Sequence, residues 1–433
     1  MKNIFYLTTK YKEHKGNISF ANLTNTLRTL WLTIITLFIS SIVNAQSLEI
    51  LFKQATENNP QLKSLHLNYV AEQFKADQIT LKNPEIGLGV PILAPETRLG
   101  PQVVMISASQ MFPWFGTLNA KRDVYISMSK AKYELISALK LELFNQIKVA
   151  YYQLLFLDEK TVIINDFLAI YKTLENVSLA KVESGESTIT DVLRIQLKSQ
   201  EFSQELNIIN NLKLNYFDVI NELTNQDFGT KITTEPIPNS ELIDYNLEAY
   251  QKRIANNHPL INKLNSDIET SQFKQKVNSK SNQPTIGLGI DYSLVNQRTD
   301  ANPLNNGQDI FIPKVKLSIP IYRKSYRSVN KQEEFYQDQL AQNKITIQNK
   351  LTRQIITNKT KYDNAILKIE LYHQQIKTTK MAYDVLLANY SSSGKGFDDL
   401  LDIQNQLLKY KLGLKQEKLN KLNSIANINR LIG

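Results

Sequence analysis

The sequence predicts an α+β membrane protein made of two tandem repeats, with four transmembrane β-strands per chain and long coiled-coil helical hairpins. Three observations carry this. All thirteen prolines fall within residues 60–113 and 236–320, so the same punctuation occurs twice. Both proline windows contain segments that alternate apolar with small or polar side chains, the period of a strand with two unlike faces. Residues 117–184 and 321–393 hold neither Gly nor Pro, runs far longer than an ordinary helix.

The chain of 433 residues is long enough for two or three ordinary domains, and its 42% hydrophobic and 21% charged residues are a globular composition. It has no Cys, which excludes disulfides, thiolate metal sites, cysteine catalysis and Cys-linked lipid anchors. Of the net charge of +10, residues 1–45 contribute +4, from Lys2, Lys10, Lys12, Lys15 and Arg28 against Glu13. The remaining lysines are dispersed rather than clustered on one face, so no nucleic-acid partner is expected. Residues 1–45 have the layout of a signal peptide: a basic start, the apolar core Leu30–Val43, and a small-residue cleavage site at Val43-Asn44-Ala45. That core falls short of the roughly 20 residues that span a bilayer, which favours cleavage over an anchor. The mature chain is expected to be exported and to have no helical membrane span.

The repeats follow in order. LEILFKQATENNPQL (48–62) matches LEAYQKRIANNHPLI (247–261), with Pro60 on Pro259. NPEIGLGV (83–90) matches QPTIGLGI (283–290), and SQMFPWF (109–115) matches KLSIPIY (316–322), with Pro113 on Pro320. ITDVLRIQ (189–196) matches FDDLLDIQ (397–404). The first repeat therefore spans 46–223, with strands 83–93 and 101–112 and helices 117–184 and 188–223. A turn-rich linker occupies 224–245. The second repeat spans 246–433, with strands 284–295 and 310–321 and helices 323–390 and 398–431.

In the strands, Ile286, Leu288, Ile290, Tyr292 and Leu294 share one face, and Thr285, Gly287, Gly289, Asp291 and Ser293 the other. Val315, Leu317, Ile319 and Ile321 alternate with Lys314, Lys316 and Ser318; Ile86, Leu88, Val90 and Ile92 alternate with Glu85, Gly87 and Gly89. Each segment has the length of a tilted transmembrane strand, about 9–11 residues. A soluble half-buried sheet has the same period. Four strands cannot close a barrel, and an open sheet edge is forbidden in lipid. Membrane strands would thus require several copies, and three would supply twelve strands.

In the helices, Ile136, Leu139, Leu143, Ile147, Ala150, Leu154 and Leu157 recur at helical spacing, and Leu193, Leu197, Leu206 and Phe217 lie along the returning helix. Each hairpin needs a tip. SGESTITD (184–191) and SSSGKGFDD (391–399) supply it: Gly185, Gly394 and Gly396 permit positive φ, and Ser187, Thr188 or Thr190 can cap the return. Phe112, Pro113, Trp114 and Phe115, with Pro320 and Tyr322 in the second repeat, mark a joint from strand to helix at a membrane interface. There Pro ends the strand ladder and aromatics form a girdle.

No enzyme signature is present. His14, His66, His258 and His373 are scattered without metal-ligand spacing, so neither a metal site nor a cofactor is expected. IGLGI (286–290) lies inside an alternating strand and lacks the third glycine and helix start of a dinucleotide loop.

The duplicated strand pair, the exits Pro113-Trp114-Phe115 and Pro320-Ile321-Tyr322, and the segments ITDVLRIQ and DDLLDIQ behind Gly-containing tips resemble the TolC-type outer-membrane efflux proteins (outer membrane factors) over residues 46–433. The resemblance implies a homotrimer whose twelve-stranded barrel sits in outer-membrane lipid and continues into a helical barrel across the periplasm. It implies a passive exit duct of a tripartite efflux pump or type I secretion system. Such a duct docks through its tips to a periplasmic adaptor (membrane fusion) protein and an inner-membrane transporter, here expected to be of the RND type. It also implies a periplasmic aperture at the tips. Tyr390, Lys395, Asp399 and Asp402 match the family's Tyr, basic and paired-acid positions, and Asp191 matches the acid of the first tip, the expected partner of Lys395 and Tyr390. The family usually has Arg where Lys395 stands, and Lys makes no bidentate fork, so a weaker lock is implied. Asp398 and Asp399 also suit a first helical turn through the dipole alone, so helix capping stands beside the aperture role. Two other functions compete with the duct: a secreted or periplasmic coiled-coil structural protein without channel activity, and a self-gated porin.

Overall fold

The computed structural model describes residues 47–235, 245–393 and 396–433; the expected signal peptide, most of the linker's second half and Lys395 lie outside them. The first repeat contains α1 (Leu48–Asn58), α2 (Pro60–Asp77), β1 (Glu85–Gly89), β2 (Glu96–Thr97), β3 (Gly100–Phe112), α3 (Thr117–Glu183) and α4 (Ile189–Thr224). The second contains α5 (Leu247–Asn257), α6 (Pro259–Ser281), β4 (Thr285–Val295), β5 (Ile310–Ser318), α7 (Arg323–Ser393) and α8 (Phe397–Ile432). Each repeat thus opens with two helices where the sequence suggests one. Asn59 and His258 divide them, and both Pro60 and Pro259 start the second helix at a position that needs no N–H.

The strands form one antiparallel sheet in the order β1-β3-β4-β5, with the short β2 paired to β3. Its register separates two faces. Ile86, Ala108, Ile290 and Pro313 align across all four strands, as do Leu88, Ile106, Tyr292 and Phe311; Phe112, Ile286 and Leu317 continue the same apolar face. The opposite face carries Glu85, Ser109, Gly289 and Lys314 in one row and Gly87, Ser107, Asp291 and Ile312 in the next. Most of the apolar face is uncovered: Ile86 and Val315 are 79% and 76% exposed. Two strands end earlier than their alternation suggests. β1 stops at Gly89 and leaves Val90 and Ile92 outside the ladder, because Pro91 has no N–H to donate; β5 stops at Ser318, two residues before Pro320. The weakest alternation, residues 101–112, gives the longest strand.

At about 1.5 Å per residue, the 67 residues of α3 and the 71 of α7 reach roughly 100 Å. Helix α3 buries the stripe that its spacing suggests, with Ile147, Ala150, Leu154 and Leu157 all inside. Ile147, Ala150 and Leu154 pack with Leu51, Ala55 and Ile220 below the linker. Helix α4 corrects the sequence. Its core face is Val192, Ile195, Phe202, Ile209 and Ile220, whereas Leu193 and Leu197 are exposed. Two apolar stripes run along this helix, and periodicity alone does not say which one the same chain covers.

Candidate functional site: the joints and the hairpin tips

At the first joint, Phe112 closes β3 opposite Ile286, and Pro113 ends the ladder. The chain then turns through Gly116, whose φ of 79° is left-handed and which serves as the N-cap of α3 without a side-chain hydrogen bond. Thr117 compensates: its N–H and Oγ1 both donate to the Trp114 carbonyl, at 3.0 and 2.7 Å. Trp114 and Phe115 meet edge to face, with centroids 6.0 Å apart. Phe112, Pro113, Trp114 and Phe115 line an apolar cleft of about 270 Å³ with Pro284, Ile286 and Leu288. The second joint is barer. Pro320 is half-buried, while Ile319, Ile321 and Tyr322 project outward, Tyr322 at 83% exposure.

At the far end, the first tip is built on a capping box. Thr188 caps α4 and the Asp191 carboxylate accepts from the Thr188 N–H at 3.4 Å and the Ser187 hydroxyl at 2.7 Å. The expected pairing of Asp191 with Tyr390 does not form. Tyr390 is fully buried in the core between the hairpins, against Phe397, and its hydroxyl shares a 2.8 Å hydrogen bond with Ser178 on α3. Lys181 stands 5.7 Å from the centre of the Tyr390 ring and pairs with Glu186 at 3.1 Å. A ring of this size is held by the apolar surface it buries, and Asp191 satisfies its own helix terminus instead. Asp399 and Asp402 are both exposed on α8, one turn apart. Their neighbour Asp398 forms an ion pair with Arg194 of the other hairpin, a link that ties the two tips together. Neither Ser178 nor the Arg194–Asp398 pair is signalled by local sequence, since the partners are 212 and 204 residues apart.

On the polar face of the sheet, Asp291 is buried and paired with Lys314 of the neighbouring strand. Among the described residues, no group of His, Asp and Glu is arranged to hold a metal, and no helix is long and apolar enough to cross a membrane.

A strand sheet with one greasy face, continued by helices several times its height, is the fold of the TolC-type outer-membrane channels. No protein-family model matches the chain. The outer membrane protein TolC of Vibrio cholerae is 20% identical over 410 residues, covering 91% of this chain and 92% of its own. The structure of the outer-membrane channel OprN superposes with a TM-score of 0.70 at 15% identity, covering 89% of both chains. The outer membrane protein VceC of Vibrio cholerae superposes with a TM-score of 0.69 at 14% identity, covering 89% of this chain and 96% of that one.

Proposed function

We propose that the chain is an outer-membrane channel, one of three copies that together form the exit duct of a tripartite efflux pump or type I secretion system. One observation carries this: an apolar sheet face lies open, the sheet has two unpaired edges, β1 and β5, and both repeats pass from it through a proline joint into helices of about 100 Å. An open edge in hydrocarbon leaves several backbone groups unsatisfied, so β5 of one copy pairs with β1 of the next and three sheets close twelve strands. The apolar face then meets lipid, and the opposite face, with Glu85, Ser107, Asp291 and Lys314, lines the pore. The helices continue the pore through the periplasm, where the tips meet an adaptor and, through it, an RND-type transporter. The likeness to TolC, OprN and VceC supports the same reading. Transport is passive here; the partner supplies the energy.

The exposed Asp399 and Asp402 at the tip of each copy would make two rings of three carboxylates, which attract cations. Purified protein in a planar bilayer tests the proposal. Discrete cation-preferring conductance is expected, and replacing Asp399 and Asp402 with Ala raises the conductance and lowers the preference. A chain that stays soluble and inserts no conductance would instead be a periplasmic coiled-coil protein. Unchanged selectivity in the double variant would remove these acids from the aperture.

A further inference from the structure

Resting on the outer-membrane placement proposed above, we infer that the cleft at the first joint is a phospholipid site. It seats one acyl chain among Phe112, Trp114, Phe115, Ile286 and Leu288 and holds the anionic phosphate with Lys280. The register places Phe112, Ile286 and Leu288 on the apolar face of the sheet, so the cleft is continuous with the surface that meets hydrocarbon. It lies between β3 and β4, the two middle strands. Neighbouring copies join at β1 and β5 and leave this pair uncovered. At its helical end the wall changes character. Lys280, in the last turn of α6, lies across Gly116, with its Cε 3.9 Å from where a Cβ would stand on that glycine. No ion pair engages Lys280 among the described residues, whereas its neighbour one turn back, Lys276, is turned toward Asp123 at 3.5 Å. Lys280 thus stands at Gly116, next to the two aromatic rings that line the apolar slot. That set complements an acyl chain, a glycerol backbone and a phosphate.

Tryptophan fluorescence tests this directly. Of the two tryptophans, Trp31 lies in the expected signal peptide, so the emission of the mature protein reports Trp114 alone. The mature protein is placed in phosphatidylcholine nanodiscs, with small mole fractions of brominated phosphatidylglycerol or brominated phosphatidylcholine as quenchers. Half-quenching is expected at a mole fraction about fivefold lower for the anionic lipid, the worth of one lysine near a membrane surface. Lys280→Gln removes that ratio. Leu288→Phe, which fills the slot, raises the half-quenching mole fraction for both lipids. Quenching that follows mole fraction alone, equal for both head groups and unchanged in Lys280→Gln, overturns the site and leaves Trp114 as an ordinary girdle residue. No quenching by either lipid overturns the membrane placement as well.

Discussion

Asn59 and His258 stand at equivalent points of the two repeats, each capping a helix that begins with proline, yet acid can switch off only one of them. The Asn59 side-chain oxygen accepts from the Gln61 and Leu62 N–H groups at 3.0 Å, and its amide donates to the Leu223 carbonyl at 2.9 Å. Nothing there titrates. His258 accepts from the Leu260 N–H through Nδ1 at 3.2 Å, which only the neutral ring can do. Burial, and then the nearby Arg430 charge, lower its pKa from 6.5 to about 4. Two caps with one geometry thus differ in chemistry: the Asn59 cap does not titrate, and the His258 cap holds its helix start only while the imidazole stays unprotonated.

A second pair makes the same point inside one core. Tyr171 and Tyr390 are both fully buried between the hairpins. The Tyr390 hydroxyl is bonded to Ser178, while that of Tyr171 meets no partner among the described residues, and burial pushes its pKa up to about 12. Size alone fixes Tyr171; Tyr390 also fixes the register of α7 against α3.

The contrast can be broken at several points. Tyr390→Ala should cost most, about 3–5 kcal/mol for an aromatic removed from a closed core, read as a lowered denaturation midpoint. Next is pH. Between about pH 6.5 and 4 the unfolded chain binds a proton at His258 that the folded chain refuses, so stability is full above that window and falls as pH drops through it. The loss attributable to this group is about 3 kcal/mol, and His258→Asn, which copies the first repeat, should abolish it in pH-dependent melting. Thr188→Ala should cost about 1 kcal/mol and speed hydrogen exchange in the first turn of α4. Tyr390→Phe should cost about 1 kcal/mol while Tyr171→Phe costs nothing, since only the first breaks a hydrogen bond. Arg194→Ala, which breaks an exposed pair with Asp398, should cost under about 0.5 kcal/mol in stability and show mainly as faster exchange at the tips.

The fold class was legible in the sequence because its signals are periodic. Alternation gave the two faces of the sheet, and Gly- and Pro-free runs gave helices that nothing interrupts. What was illegible depends on neighbours. Leu193 and Leu197 look like core residues until Ile195 and Phe202 take the core, since this helix carries two apolar stripes and the same chain covers only one of them. The partner of Tyr390 is illegible for the same kind of reason: Ser178 is one serine among many, brought across by the packing of two repeats, and Asp191 is spent on its own cap. The joint was partly visible. Its aromatics mark a boundary, but the cleft they form with Ile286 and Leu288 needs the sheet register to exist.

The central claim is that the open edges β1 and β5 close on neighbouring copies. The mass of the particle extracted from outer membranes in mild detergent and weighed by native mass spectrometry tests it most directly. Three copies of the chain per particle are predicted; a monomer or a dimer, with the sheet left open, would contradict the account.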